Sequence, residues 1–312
     1  MNRIIIFGAG VHGRRAYRAL RRIHDDVEVI GFIDNNSKNK GKKCLGNDIY
    51  SPSELHTMSF DKVVIAGRNI EEMSRQLSVE LLVPDSKIWP MKRSEIMPSA
   101  FEKKRISESI DDLLKKLLCI FSSNNISYWM DESALLALKR GVCLAEFADV
   151  DISLISSQHA SVLLKELKHK DLGRNLEKTG YEVSVDYKTI GSVQLHHIII
   201  KSKVITEEEE LACIDINVKA LCGDVYLVPF RDRFRFTPII HYSGFDVIHY
   251  HDMKLRIPIY SDKYLSLTYG VNWKIPSEYW KASDYGNIVS DIDVPIISKS
   301  QKEEMGTYKR CH

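Results

Sequence analysis

The chain has no Cys-x-x-Cys pair, although it carries six cysteines, at 44, 119, 143, 213, 222 and 311. Zinc ribbons and fingers draw their ligands from such pairs, so that class is excluded. The residues around the cysteines are mostly apolar, which predicts reduced, partly buried thiols of a cytoplasmic protein instead of a disulfide framework. No run of 18 apolar residues occurs, so no transmembrane helix is expected. The N-terminus enters a short apolar strand without a cleavage pattern, so no signal peptide is expected. Internal repeats and low-complexity segments are lacking too. Nor does one sign of charge dominate: 44 basic and 42 acidic residues give a net +2. The basic residues are scattered, so nucleic acid is not an expected partner. What is present is ordinary globular composition, 44% hydrophobic and 28% charged over 312 residues. That length suffices for two domains with real cores.

Arg3–Phe7 is a short apolar run of the kind a buried parallel strand needs. Gly8-Ala9-Gly10-Val11-His12-Gly13 follows at once, and a helical pattern runs from Arg14 to about Arg22. In Gly-x-Gly-x-x-Gly the glycines allow a tight turn, close approach of backbone to phosphate, and close helix packing. The helix N-terminus then offers N–H groups to an anion. A second strand, Val27–Ile33, ends at Asp34, 21 residues after Gly13, where a ribose-binding acid sits in such folds. Residues 35–47 read as a loop. Further strands at 61–67 and 87–89 flank a helix at 71–82, giving a small doubly wound parallel sheet. Gly8, Gly10, Gly13, Asp34 and, beside a solvated alternative, His12 are the candidate contacts to a nucleotide. A domain kept only for packing or oligomer contacts is the alternative.

Together with Gly31-Phe32-Ile33-Asp34-Asn35, this motif resembles the N-terminal domain of PglD/NeuD-type nucleotide-sugar acetyltransferases, over about residues 1–92. The resemblance implies a Rossmann-like domain that binds a nucleotide-sugar. The hexapeptide-repeat helix of that family is absent, so acetyl transfer is not implied. An NAD-dependent oxidoreductase rests on the glycine motif alone.

Residues 93–100 read as a linker, and 101–297 as a second domain with a polar tail at 298–312. Apolar positions from Ile106 to Phe121 fall at helical spacing. A strand at 126–130, a turn at Asp131-Glu132-Ser133 with helix-capping chemistry, and a helix from Ala134 to Lys139 lead to Asp149-Val150-Asp151-Ile152. On a strand Asp149 and Asp151 share one face, and two carboxylates on one face suit a hard divalent cation. Two solvated acids on an exposed face are the alternative. A helix at 158–169 and paired strands at 181–187 and 193–201 precede Leu211–Val218, which sets Asp215 among apolar residues. An acid there is costly unless paired or metal-bound, so Asp215 is the natural third carboxylate. Tyr269, Gly270 and Trp273 read as an aromatic wall or a core plug. The His249–Asp252 cluster reads as a polar strand edge or, less simply, a metal site. Arg231, Arg233 and Arg235 alternate as on a strand face that is either solvated or receives phosphate.

Three segments resemble the LicD/fukutin-type phosphotransferases over about residues 105–285. Leu135–Gly141 is similar to that family's Leu-Leu-Gly-x-x-Arg, and Asp149–Ile152 to its Asp-x-Asp-Ile strand. Ile257-Pro258 with Tyr264–Pro276 is similar to its Pro…Tyr-Leu-x-x-x-Tyr-Gly-x-x-Trp-x-x-Pro signature. The family usually has glycines where this chain has Asp131-Glu132, and Ala137 replaces another. The resemblance implies an α+β nucleotidyltransferase-like domain behind the Rossmann-like one. It implies a bacterial surface-glycan enzyme that moves phosphocholine or an alditol phosphate from a CDP-activated donor to a glycan hydroxyl. Asp149, Asp151 and Asp215 would hold Mg²⁺ or Mn²⁺, with Asp215 alternatively taking the acceptor proton. Ser133 would hold a phosphate oxygen, and Arg140 would pair with phosphate or lock the acids. A homo-oligomer, with peripheral membrane association left open, is the expected state. A catalytically silent nucleotide-sugar-binding scaffold is the competing class.

Overall fold

Side-chain alternation in the first strand decides what surrounds it. In β1 (Asn2–Phe7), Ile4 and Ile6 share one apolar cluster with Ala16, Ala19 and Leu20 of α1 (Val11–Ile23). Ile5 and Phe7 share another with Leu55, Leu77 and Val83. Both faces are therefore covered, as a parallel sheet requires. The computed structural model describes residues 1–67, 69–168, 181–190, 193–202, 212–230, 233–279 and 281–289.

The chain divides into two compact units. The first holds residues 1–102 and 275–284, and the second holds the remaining described residues. Beyond β1, the first unit's strands are β2 (Val27–Ile33), β3 (Lys43–Cys44), β4 (Asn47–Tyr50), β5 (Lys62–Ile65) and β6 (Ile88–Pro90). Their order is β3-β4-β2-β1-β5-β6, parallel throughout except for β3 against β4. β3 falls in the stretch 35–47 expected as a loop, and β4 begins at its last residue. Only Cys44 and Ile49 of these strands are buried, so the apolar pattern there is too short to show in sequence. The helix expected at 71–82 is α2 (Ile70–Arg75), continued by wider π-type turns over Gln76–Glu80.

Residues 93–100, expected as a linker, and 275–284, expected in the second domain, both belong to the first unit. The Glu278 carboxylate accepts from the Ser94 backbone N–H and hydroxyl at 3.0 and 2.8 Å, and Lys281 pairs with Glu71. Ser99 and Glu102 cap the start of α3 (Ala100–Ser123) reciprocally.

In the second unit a five-stranded sheet runs β7-β8-β11-β10-β9. Its strands are β7 (Trp129–Met130), β8 (Val150–Leu154), β9 (Tyr181–Ile190), β10 (Val193–Ser202) and β11 (Cys213–Val218). β8 and β11 are parallel, and the other pairs are antiparallel. Ile152, Ile198, Ile200, Ile214 and Ile216 share one apolar cluster with α3 residues Ile106, Leu113 and Leu117 and with Leu163 of α5 (Ser157–Lys168). Between β7 and β8 lies α4 (Glu132–Arg140), stopped by Gly141 in the left-handed region. Next come β12 (Ala220–Cys222), β13 (Val225–Phe230) and β14 (Arg233–Pro238). The hairpin β15 (Phe245–Tyr250) and β16 (Met253–Pro258), α6 (Ser261–Tyr269) and β17 (Ile288–Val289) complete the unit.

The turn of the hairpin accounts for the His249–Asp252 cluster. His251 Nδ1 lies 2.7 Å from Asp111 and Asp252 pairs with Lys115 at 2.8 Å, so two of its members tie the turn to α3. Trp273 is 4% exposed and belongs to the core, which makes it a plug. The five described cysteines are free, Cys44 and Cys222 buried and Cys119 exposed. No helix among the described residues is long and apolar enough to cross a membrane. Arg231, Gly191, Ser192, Glu207–Glu210 and the tail lie outside the described residues.

Candidate metal centre

Register places the acids. β8 and β11 run side by side with Asp151 opposite Asp215, and Asp149 precedes β8 on the same face. One carboxylate oxygen from each of Asp149, Asp151 and Asp215 lies within 4.8 Å of the others. Among the described residues no other group of three or more His, Cys, Asp or Glu side chains is gathered in this way. Asp151 is 8% exposed, and its two companions are half-buried.

Around this triad the charges are neutralised in pairs. Asp131, fully buried, accepts from Lys219 Nζ at 2.7 Å, from the Tyr242 hydroxyl at 2.7 Å and from Ser153. Burial opposes its ionisation, but the Lys219 charge and these hydrogen bonds hold it well below the usual carboxylate range. Glu132, also buried, pairs with Arg235, whose guanidinium lies 4.8 Å from the Phe230 ring and 5.2 Å from the Tyr285 ring. Within the triad, Asp215 Oδ2 lies 3.4 Å from His197 Nε2.

The crowding of carboxylates shows in the proton affinities. Burial first, then the charges of Asp149, Glu132 and Asp215, push Asp151 well above its ordinary range. Burial also acts upward on Asp215, but the His197 contact and the Cys213 thiol, 3.4 Å away, bring it below the ordinary value. Three clustered carboxylate oxygens, one of them with its proton affinity raised by burial and its neighbours' charges, fit a divalent cation.

Ser133 serves the triad directly. Its backbone N–H donates to Asp151 Oδ2 at 3.1 Å, its hydroxyl donates to the same oxygen, and the hydroxyl lies 3.1 Å from the Asp149 carbonyl. Both of the donors expected to hold phosphate are therefore turned to a carboxylate. Glu132, one residue earlier, has φ +44°, in the left-handed region that favours glycine. Arg140 lies at the other end of α4, where its guanidinium donates to the Trp273 carbonyl, at 2.7 Å from Nε. Arg235, grouped in sequence with phosphate-receiving or solvated arginines, is instead buried against Glu132, while Arg233 is exposed. Sequence reasoning missed Glu132, Asp131, Lys219 and His197 as parts of the site. The signal for His197 is its place two residues from Ile199, which pairs with Asp215 across β10 and β11.

The candidate nucleotide turn belongs to the first unit. Gly8 has φ +97°, and a Cβ on Gly13 would lie 1.8 Å from the Gly8 carbonyl oxygen. A Cβ on Gly10 would meet nothing within 4 Å, so packing does not demand that glycine. Gly10 caps α1 without a side-chain hydrogen bond. Asp34 accepts from the Ala9 and Asn36 backbone N–H groups, each at 2.8 Å, and so shapes the turn. The His12 ring sits against Gly67 at the end of β5, where a Cβ would come within 2.8 Å of it.

Residues 1–89 match a family model described as C2185-like, N-terminal. No curated protein matches the chain. Among solved structures, UDP-D-quinovosamine 4-dehydrogenase from Vibrio fischeri is 20% identical, covering 32% of this chain and 81% of that one at a TM-score of 0.24. The lincosamide antibiotic adenylyltransferase LnuA, with lincomycin bound, is 18% identical and covers 57% and 95% at 0.31. Myo-inositol 2-dehydrogenase from Lactobacillus plantarum is 11% identical and covers 82% and 81% at 0.23. At these scores the superpositions carry no argument about activity.

Proposed function

We propose that the second unit is a nucleotidyltransferase-like, divalent-metal-dependent phosphotransferase. Its reaction would pass a phosphorylated small alcohol, such as phosphocholine or an alditol phosphate, from a CDP-activated donor to a sugar hydroxyl in bacterial surface-glycan assembly. One observation carries the metal-dependent part: Asp149, Asp151 and Asp215 each bring a carboxylate oxygen within 4.8 Å of the others, at adjacent strands of one sheet. The donor and acceptor classes rest on the LicD/fukutin resemblance. Asp149, Asp151 and Asp215 hold Mg²⁺ or Mn²⁺, which when bound neutralises the donor's phosphates and polarises the transferring group. Ser133 orients Asp151. Asp215, with its lowered proton affinity, suits a ligand better than a general base. Arg140 fixes the Trp273 segment. The Rossmann-like first unit binds a nucleotide or nucleotide-sugar at Gly8–Gly13, where the open space at Gly10 leaves room for phosphate.

A second reading has one observation in its favour. With both Ser133 donors on Asp151 and Glu132 in the glycine position, the turn offers phosphate a poor grip, as in a silent scaffold. A thermal-shift panel separates the two. Stabilisation by CDP-choline, CDP-ribitol or CDP-glycerol that needs Mg²⁺ and is lost in Asp149→Asn/Asp151→Asn supports transfer, by the mass action of a ligand on the folded state. Stabilisation by UDP-sugars alone, equal in wild type and mutant, removes the case for chemistry in the second unit.

A further inference from the structure

A cleft of about 540 Å³ opens in the second unit between the β15–β16 hairpin and the segment that joins α3 to β7. Leu118, Phe121 and Ile126 give it an apolar floor, and Phe245 and Val247 line it while remaining about half exposed. Register sets Val247 opposite Arg256 and His249 opposite Lys254, so one face of the hairpin carries both cations beside Phe245 and Val247. The Arg256 guanidinium lies 4.5 Å from the Phe245 ring and 5.6 Å from the Tyr128 ring. Neither Arg256 nor Lys254 pairs with a carboxylate among the described residues. Ser122, Asn125 and Ser127 add neutral hydrogen-bonding groups to the wall.

Two cations without a carboxylate partner among the described residues, Arg256 over two aromatic rings and Lys254 beside it, with hydroxyl and amide groups on one side, match one kind of ligand. We propose that this cleft binds an anionic sugar, one bearing a phosphate or a carboxylate. The charge lies against Arg256 and Lys254, one sugar face stacks on the exposed part of Phe245, and the hydroxyls meet Ser122, Asn125 and Ser127. Arg256, packed against two rings, offers its guanidinium fork for two-point contact with a planar or tetrahedral anion. The cleft uses none of the triad residues, so it stands or falls apart from the phosphotransferase reading.

The test is calorimetric titration of the full chain in EDTA with glucose 1-phosphate, glucuronate, glucose and inorganic phosphate. The expected result is saturable binding of glucose 1-phosphate or glucuronate, at least tenfold tighter than glucose or inorganic phosphate. Which of the two binds better identifies the anion. Arg256→Met, which keeps the contact with the rings, and Lys254→Gln, an exposed change that leaves the fold intact, should each weaken binding about tenfold or more. Asp149→Asn/Asp151→Asn should leave it unchanged. No saturable binding, equal binding of glucose, equal binding of inorganic phosphate, or indifference to both cation variants would overturn the proposal.

Discussion

Removing the Glu132 carboxylate should be among the most damaging single changes in the second unit. Glu132 and Arg235 are 7% exposed each, and the guanidinium is enclosed by Phe230 and Tyr285. Glu132→Gln leaves that cation buried without a counter-charge, which costs about 3–5 kcal/mol. For a unit of this size that lowers the melting temperature by about 6–20 °C. Arg235→Met exposes the same problem from the other side, leaving a carboxylate whose neighbours Asp151 and Asp131 are also acids. The double variant Glu132→Gln/Arg235→Met removes both charges, and should recover to within about 1 kcal/mol of wild type because apolar volume replaces the pair. The backbone gives an independent check. Glutamate at φ +44° is strained by about 1–2 kcal/mol. Glu132→Gly and Glu132→Ala lose the same carboxylate, but only the glycine relieves the backbone, so the glycine variant should melt several degrees higher. The assay is thermal unfolding by circular dichroism in EDTA, which keeps metal stabilisation out of the comparison. A Glu132→Gln shift below about 2 °C, or a double variant no better than either single, would refute the reasoning.

Gly13→Ala should disrupt the first unit, since its Cβ would lie 1.8 Å from the Gly8 oxygen, whereas Gly10→Ala should fold normally and lose only nucleotide-sugar binding, as read by thermal shift with and without UDP-sugars. Asp215→Asn should abolish stabilisation by Mn²⁺ or Mg²⁺ in titration calorimetry while leaving the fold intact by circular dichroism, because it removes one of three clustered oxygens. Burial raises the Glu102 pKa, but the Ser99 hydrogen bonds and the charges of Arg18 and Arg22 bring it below the ordinary glutamate range. The stabilisation from that carboxylate is therefore complete above the ordinary range and lost as pH falls through the lowered value. Glu102→Gln should thus cost about 1 kcal/mol near neutrality, typical of a lost cap, and nothing in acid, in parallel urea titrations at the two pH values.

What could be read from sequence follows the distance over which a pattern acts. The parallel sheet of the first unit was legible because β1, β2 and β5 each contain a short, mostly apolar run, with a glycine turn after β1. The acids were legible because period-2 alternation needs no partner strand: Asp149 and Asp151 share a face whatever lies beside them. Asp215 was legible because an acid between Ile214 and Ile216 contradicts its surroundings. Arg235 and Lys219 were not, because their partners Glu132 and Asp131 lie 103 and 88 residues away in the chain. Alternation places Arg235 on a face, but only the folded second unit closes that face over Glu132.

The same long-range pairs bear on why the turn before Ser133 carries acids at all. A glycine there would free the backbone N–H groups at the start of α4 to face an anion. Here Asp131 spends one of them, accepting from the Glu132 N–H at 2.8 Å, and Asp151 takes the next, from Ser133. Lys219 and Arg235 then cancel the two acids, so the turn contributes no net charge to the triad. With these two amides turned to carboxylates, the transfer proposed above would draw its hold on the donor chiefly from the cation at Asp149, Asp151 and Asp215. Ser133→Ala should therefore act on metal affinity through Asp151, and donor affinity measured at saturating Mg²⁺ should change little. A large loss of donor binding at saturating metal would place the phosphate on Ser133 after all, and with it the open form of the turn.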